Sequence, residues 1–171
     1  MHIFSWKKEN TKEEIVSQLI LENYNQYYRL AFSYVHNEPD ACDIVQSGVY
    51  KALQNSHSLK KPEFAKTWVY RIMLNECFSY MKKPETFSYE AIQEKDGIDI
   101  GYTEDSYQNI DLQRAIDKLP KEDKAIIILR YFEDKKIEEI AEILNENIST
   151  VKSRLYRSMG NLRQSLKVDN E

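Results

Sequence analysis

Residues 147–168 combine basic side chains with a helical repeat of apolar ones. This segment contains five basic residues and no acidic one, although the whole chain of 171 residues carries a net charge of −4. Val151, Leu155 and Leu162 recur at helical spacing and would anchor one face of a helix to a core. At about 100° per residue, the opposite arc presents side chains that can contact DNA phosphates and guanine edges. The residues on or beside this arc are Lys152, Ser153, Arg154, Tyr156 and Arg157.

The residues before this helix predict a helix-turn-helix. Residues 137–144 have the apolar spacing of a first helix, and Ala141 is small where two helices must cross closely. Asn145 lies where the turn needs a left-handed backbone, which Asn tolerates best after Gly. Ser149 is expected to cap the second helix. No acid lies between residues 146 and 169, so we expect no neighbour that repels DNA. The competing interpretation is an ordinary surface helix with a solvated basic face.

A second positive segment covers residues 51–83, which contain seven basic and two acidic residues. A polar loop, residues 55–61, leads into a helix that Pro62 can open. Aromatic residues alternate with the basic ones, and Trp68 is expected to support the site from the core. This combination suits single-stranded DNA, since stacking on an aromatic ring contributes about 1–3 kcal/mol per base. The candidate base and phosphate contacts are Asn55, Ser56, Lys60, Lys61, Lys66 and Arg71.

The apolar spacing predicts an all-α protein with two small helical domains. A capping box at Thr11 and Glu14 opens a long first helix that ends near His36, and Asn37 can cap the second. Residues 84–111 carry eight acidic residues and one basic residue, without an apolar repeat as far as residue 107. We therefore expect domains at residues 1–83 and 108–171, joined by a flexible acidic linker at residues 84–107.

Several classes of protein are disfavoured by what the sequence lacks. It has no stretch of about 18 apolar residues that could span a membrane, and no signal peptide, so we expect a cytoplasmic protein. Cys42 and Cys77 lack the spacing of a metal site or a disulfide framework. No paired general acid and base, nucleophile motif or phosphate-binding glycine loop is present. We therefore expect neither an enzyme nor a cofactor.

Two parts of the chain resemble the extracytoplasmic-function (ECF) sigma factors. The stretch LPKEDKAIIILRYFEDKKIEEIAEILNENISTVKSRLYRSMGNLRQSL, residues 119–166, resembles region 4 of that family. Upstream, FSYVHNEPDACDIVQSGVYKAL and FAKTWVYRIMLNECFSYMKK resemble region 2. The resemblance implies a subunit that binds the RNA polymerase core and directs promoter-specific transcription initiation, in an envelope or stress response. It also implies three partners: the bacterial core polymerase, promoter DNA and an anti-sigma factor, which is often membrane-anchored.

The resemblance assigns a role to each candidate surface. Region 4 would contact the minus-thirty-five element, and the second positive segment would open the minus-ten element and accept a flipped base. The acidic linker would thread the polymerase channel. The residues implied for contact with the minus-thirty-five element are Thr150, Lys152, Ser153, Arg154, Tyr156 and Arg157. A third surface would dock on the clamp helices of the largest polymerase subunit. Its implied residues are Asp40, Asp43 and Gln46, at i, i+3 and i+6 of one helix.

The sequence departs from the family pattern at three positions. Gly48 lies inside a helix, where glycine costs about 0.5–1 kcal/mol. Lys136 occupies a position where a capping Ser is common, so Asp134 is expected to cap that helix instead. Asn145 replaces the usual glycine of the turn.

Two other classes of function stay open from the residues. A stand-alone helix-turn-helix regulator would bind duplex DNA without polymerase. An adaptor or anti-sigma-like protein would bind only proteins, and the acid-free basic helix disfavours it.

Overall fold

The computed structural model describes residues 10–83 and 104–168, with side chains at residues 110–167 in the second range. All regular secondary structure in these two ranges is helical, which confirms the all-α prediction. The chain divides into two compact units, Met1–Cys77 and Phe78–Glu171. Most of the predicted linker lies outside the described residues, but its last four residues belong to a helix that begins at Glu104. The predicted domain boundaries stay a prediction.

Residues 10–83 and 104–168 form seven α-helices. In chain order they are α1 (Lys12–Val35), α2 (Glu38–Gln54), α3 (Ala65–Met81), α4 (Glu104–Asp117), α5 (Lys121–Ile127), α6 (Ile137–Leu144) and α7 (Ile148–Val168). Two 3₁₀ turns, Ser56–Ser58 and Pro62–Phe64, connect α2 to α3. A π-helical turn, Ile128–Phe132, extends α5.

The first helical hairpin is fixed by caps that the sequence predicted. The Glu14 backbone N–H donates to Thr11 Oγ1 at 3.2 Å, and the Thr11 N–H donates to Glu14 Oε2 at 3.0 Å. Helix α1 ends at His36, whose left-handed backbone (φ 55°) reverses the chain. The Asn37 side chain then accepts a hydrogen bond from the Asp40 N–H at 2.9 Å and starts α2. Because both ends of this turn are capped, α1 and α2 pack against each other along their apolar faces.

Aromatic and aliphatic side chains join α3 to this hairpin. Tyr27 of α1 and Tyr70 of α3 are both buried and pack edge to face, with ring centroids 5.1 Å apart. The Tyr70 hydroxyl donates to Gln26 Oε1 at 2.5 Å. This contact gives the polar end of the buried Tyr70 ring a hydrogen-bond partner, which most buried tyrosines have.

Gly48 has a packing reason that its sequence did not reveal. A Cβ at this position would overlap Sδ of Met73 and lie 3.1 Å from its Cε. Met73 is buried in α3, so its side chain has little room to move. The glycine therefore leaves space for the Met73 side chain against α2, a packing role that the helix-propensity argument did not include.

In the second unit, α5 and α6 support α7. The buried residues of this core include Ile126 of α5, Leu129 of the π-helical turn, Ile140 of α6 and Val151 of α7. Helix α7 contacts α4, α5 and α6. The outward arc of α7 is therefore fixed by three helices.

Helix α6 has the predicted limits, α7 begins one residue before its predicted start at Ser149, and two predicted caps are wrong. Asn145 ends α6 in the left-handed conformation (φ 55°, ψ 46°), as predicted. Ser149 does not cap α7, because the helix begins one residue earlier and Val151 N–H donates to the Asn147 carbonyl at 3.0 Å. Asp134 does not cap α6. The capping residue is Lys136, whose backbone N–H donates to Glu139 Oε2 at 2.8 Å.

Across residues 10–83 and 104–168, we find no helix with the length and apolar character that crossing a membrane requires.

Replacing Gly48 with Ala should lower the free energy of unfolding by about 1–2 kcal/mol, because overpacking a core costs about 1–3 kcal/mol and exceeds the gain in helix propensity. Gly160 is the control, since it lies in α7 with nothing within 4 Å of its Cβ position. Gly160→Ala should raise stability by about 0.5–1 kcal/mol. Urea unfolding measures both changes. If Gly48→Ala also stabilised, close packing against Met73 would not be the reason for the glycine.

Candidate nucleic-acid interface

Helix α7 presents the predicted polar arc to solvent. Lys152 and Ser153 are exposed, and Tyr156 is 70% exposed. Thr150, at the start of the helix, is half-buried. Val151, Leu155 and Leu162 are buried on the opposite face, as their spacing predicted. The arc combines a cation, a hydroxyl and an aromatic ring within two turns of one helix.

The two arginines beside this arc share one buried carboxylate. Asp123, in the first turn of α5, has a side chain that is only 3% exposed. Arg157 Nη2 donates to its Oδ2 at 3.0 Å, and Arg154 Nη1 lies 3.6 Å from its Oδ1. A carboxylate withdrawn from water needs such partners, because burial of an unpaired charge costs several kcal/mol.

The expectation that no acid lies near α7 is wrong. It holds along the chain between residues 146 and 169, but the fold brings Asp123 against the helix from 34 residues away. Glu146, in the turn, also approaches Arg154, with Oε1 3.7 Å from Nη2. The surface is therefore less cationic than the sequence suggests. Lys152 forms no ion pair with either of these two acids.

Arg157 can still contact DNA from this position. Its side chain is 62% exposed although one Nη2 hydrogen is directed to Asp123. A guanidinium has five N–H donors in a rigid fork, so several remain for phosphate oxygens or base edges. Arg154 is more enclosed, at 29% exposure, and its two acidic neighbours favour packing along the surface.

The second predicted surface, residues 55–61, is a structured turn. The Leu59 side chain is 2% exposed and anchors it to the core. Ser58 Oγ donates to the Asn55 carbonyl at 2.7 Å, and the Asn55 amide donates to the Lys51 carbonyl at 2.8 Å. Lys12 Nζ donates to the His57 carbonyl at 3.3 Å. Because its backbone is fixed, the turn holds its exposed side chains in a defined place.

The basic residues of this surface differ in accessibility. Lys60, Lys61 and Lys66 are exposed, whereas Arg71 is half-buried. Ser56 is only 7% exposed, so it could reach a base only after a local rearrangement. Exposed Phe64 adds a ring, with Lys61 Nζ 6.0 Å from its centroid. The fold therefore groups three cations and one aromatic ring around the turn.

The predicted acidic arc of α2 is largely exposed. Asp43 and Gln46 face solvent, and Asp40 is half-buried. The Asp40 carboxylate accepts a hydrogen bond from Asn37 Nδ2 at 2.8 Å, so it takes part in the cap of α2. Of the two carboxylates on this arc, the one on Asp43 is the more available to a partner.

One buried carboxylate that joins α2 to α3 was not predicted from the sequence. Glu76 of α3 is 9% exposed and accepts from Ser47 Oγ at 2.7 Å and from Lys51 Nζ. Its two partners lie on α2, one turn apart, so the carboxylate fixes α2 against α3. The signal in the sequence was an acid on the buried side of a helix, adjacent to Cys77.

Comparison with protein families assigns both units. Residues 19–86 match the model for "Sigma-70 region 2", and residues 109–162 match "Sigma-70, region 4". The chain is 41% identical to the RNA polymerase sigma factor SigV of Bacillus subtilis, over 94% of this chain and 96% of the relative. This protein belongs to the ECF sigma factors. It is also 29% identical to the ECF sigma factor SigW of the same organism, over 84% of each chain.

Two solved structures agree with the fold. The sigma factor RpoE of Bartonella quintana, determined in complex with the anti-sigma factor NepR, has a TM-score of 0.64 and 26% identity, covering 90% of this chain and 97% of RpoE. CnrH, determined with the cytosolic domain of CnrY, has a TM-score of 0.67 and 18% identity, covering 94% and 99%. The second likeness supports the fold alone.

Replacing Ser47 with Ala should lower the free energy of unfolding by about 1.5–3 kcal/mol, because it removes a hydrogen bond to a buried charged group. Ser79→Ala is the matched control, since Ser79 is an exposed serine of α3 and should tolerate the change within about 0.5 kcal/mol. Chemical unfolding of both variants provides the measurement. Equal stabilities would show that the Glu76 cluster does not fix α2 against α3.

Proposed function

We propose that this sigma factor binds the RNA polymerase core and directs initiation at specific promoters, in an envelope or stress response. The observation that carries the proposal is the presence of both sigma-70 regions in one chain. A core-bound subunit needs two DNA contacts at a fixed separation, and region 2 and region 4 supply one each. Such a protein acts as a transcription regulator in the cytoplasm, without catalysis of its own and without a cofactor.

The acidic arc of α2 is the proposed docking surface for the polymerase. Asp43 and Gln46 are exposed on one face of the helix, and the cap at Asn37 fixes the start of that helix. A carboxylate in this position can form paired hydrogen bonds with an arginine on a partner protein. Asp40 would contribute at the edge of the arc.

The two cationic surfaces are the proposed promoter contacts. On α7, Lys152, Tyr156 and Arg157 would enter the major groove of the minus-thirty-five element, with Thr150, Ser153 and Arg154 on the adjoining phosphates. Around the 55–61 turn, Lys60 and Lys61 would neutralise phosphates of the minus-ten element. An unpaired base could then stack on an exposed ring such as Phe64, which couples strand opening to recognition.

Control by an anti-sigma factor is part of the proposal. RpoE, a structural relative with 26% identity, was determined in complex with the anti-sigma factor NepR. An equivalent partner of this chain, often membrane-anchored in the family, would keep it from the polymerase until a signal arrives. The acidic segment between the two regions would enter the polymerase channel in the active complex.

Run-off transcription tests this function directly. Purified chain, bacterial core polymerase and a library of genomic promoter fragments should give transcripts with discrete start sites that share sequence elements upstream. A stand-alone helix-turn-helix regulator would instead bind duplex DNA specifically without polymerase and would give no new start sites. That outcome would replace the proposal with the regulator.

Replacing Asp43 with Arg should reduce association with core polymerase by at least about tenfold, since reversal of a charge opposite an arginine replaces attraction by repulsion. Glu22→Arg makes the same change of charge on an exposed position of α1 and should leave association unchanged. Copurification and fluorescence anisotropy with core enzyme measure the effect. If the two variants bound alike, this face of α2 would not be the docking surface.

A further inference from the structure

Asp123 occupies an unusual position for a carboxylate near a DNA-binding helix. Its side chain is 3% exposed, yet both of its oxygens face the recognition helix. Oδ2 accepts from Arg157 at 3.0 Å, and Oδ1 lies 3.6 Å from Arg154. The two arginines are three residues apart, so a single anion from α5 contacts adjacent turns of α7.

We infer that Asp123 is a positioning residue for promoter recognition, which orients the guanidinium group of Arg157 toward a base of the minus-thirty-five element. This inference rests on the proposed function, because it requires that α7 contact promoter DNA. The hydrogen bond to Nη2 restricts rotation of the guanidinium plane, while 62% exposure leaves its other donors accessible. An arginine fixed in this way loses less side-chain entropy on binding than a free one.

Such a contact should affect specificity more than affinity. The negative charge of Asp123 lies under the binding surface and weakens its attraction for phosphates of any sequence. Its geometric effect, in contrast, applies only where Arg157 meets the correct base edge, since paired hydrogen bonds with guanine require a defined guanidinium plane. Loss of the carboxylate should therefore raise binding to unrelated DNA while it reduces discrimination among sequences.

Glu146 offers a matched control for the charge. Its Oε1 lies 3.7 Å from Arg154 Nη2, and its side chain is 36% exposed. Neutralising Glu146 changes the net charge beside α7 by one unit, as does neutralising Asp123. No contact between Glu146 and Arg157 is involved, so Glu146→Gln leaves the orientation of Arg157 intact.

The experiment uses full-length chain assembled with core polymerase. The probe is a promoter mapped by run-off transcription, with its upstream element randomised and the remainder constant, and the bound templates are sequenced. For Asp123→Asn, the preference for the selected base at one or two adjacent positions should fall about tenfold, while retention on a fully unrelated duplex should stay equal or rise. Glu146→Gln should show the same or greater retention with unchanged preference.

Three results separate the possible explanations. Equal loss of preference in both variants would overturn the inference in favour of a charge effect, and unchanged preference in Asp123→Asn would overturn it outright. Should Asp123→Asn unfold under the assay conditions, Asp123→Glu takes its place, because it keeps the charge but displaces the carboxylate, and the same loss of preference is expected. Arg157→Ala tests the underlying function: if it leaves upstream selection intact, α7 does not read that element through Arg157.

Discussion

A carboxylate that leaves water must be paired, and this constraint fixes a functional helix in each unit. In the first unit, Glu76 accepts hydrogen bonds from Ser47 and Lys51 and so ties α3 to α2. In the second, Asp123 accepts from Arg157 and lies near Arg154, which ties α7 to α5. Either acid would be costly without its partners, because an unpaired buried charge costs several kcal/mol. These bonds hold Ser47 and Lys51 in the first unit and Arg157 in the second in fixed positions. The surfaces of α2 and α7 beside them are therefore ordered before any ligand binds.

Close packing and capping complete this arrangement. Gly48 leaves space on α2 for the buried Met73 side chain, which a side chain at this position would overlap. The left-handed residues His36 and Asn145 end α1 and α6, so that the next helix starts in a defined direction. Leu59 anchors the turn that carries Lys60 and Lys61. A protein that must contact two elements of one promoter benefits from such rigidity within each unit, because the entropy of ordering the contacts does not have to be overcome on binding.

The sequence predicted local features well because they depend on neighbouring residues. The Thr11–Glu14 capping box, the Asn37 cap, the turn at Asn145 and the limits of α6 all follow from spacing and are present. The errors arose where distant residues meet. Asp123 lies 34 residues from Arg157, so the sequence suggested that no acid lies near α7. Likewise, nothing in the spacing of the sequence showed that Met73 packs against Gly48. Ser149 failed as a cap because Asn147 starts the helix first. The predicted site residues lie on three surfaces, on α7, around the 55–61 turn and on α2. Ser56 is buried, and Arg154 is enclosed by acids.

Photo-crosslinking within the assembled transcription complex tests the central claim most directly, namely that two surfaces of one chain contact one promoter once the chain is seated on polymerase. A photoreactive amino acid replaces Tyr156 in one preparation and Lys61 in another, both at exposed positions, and the crosslinked nucleotides are mapped on a defined promoter. The account predicts crosslinks from Tyr156 to the upstream element and from Lys61 to the downstream element, each dependent on core polymerase. Crosslinks that form equally well without polymerase, or that place both residues on the same element, would contradict it.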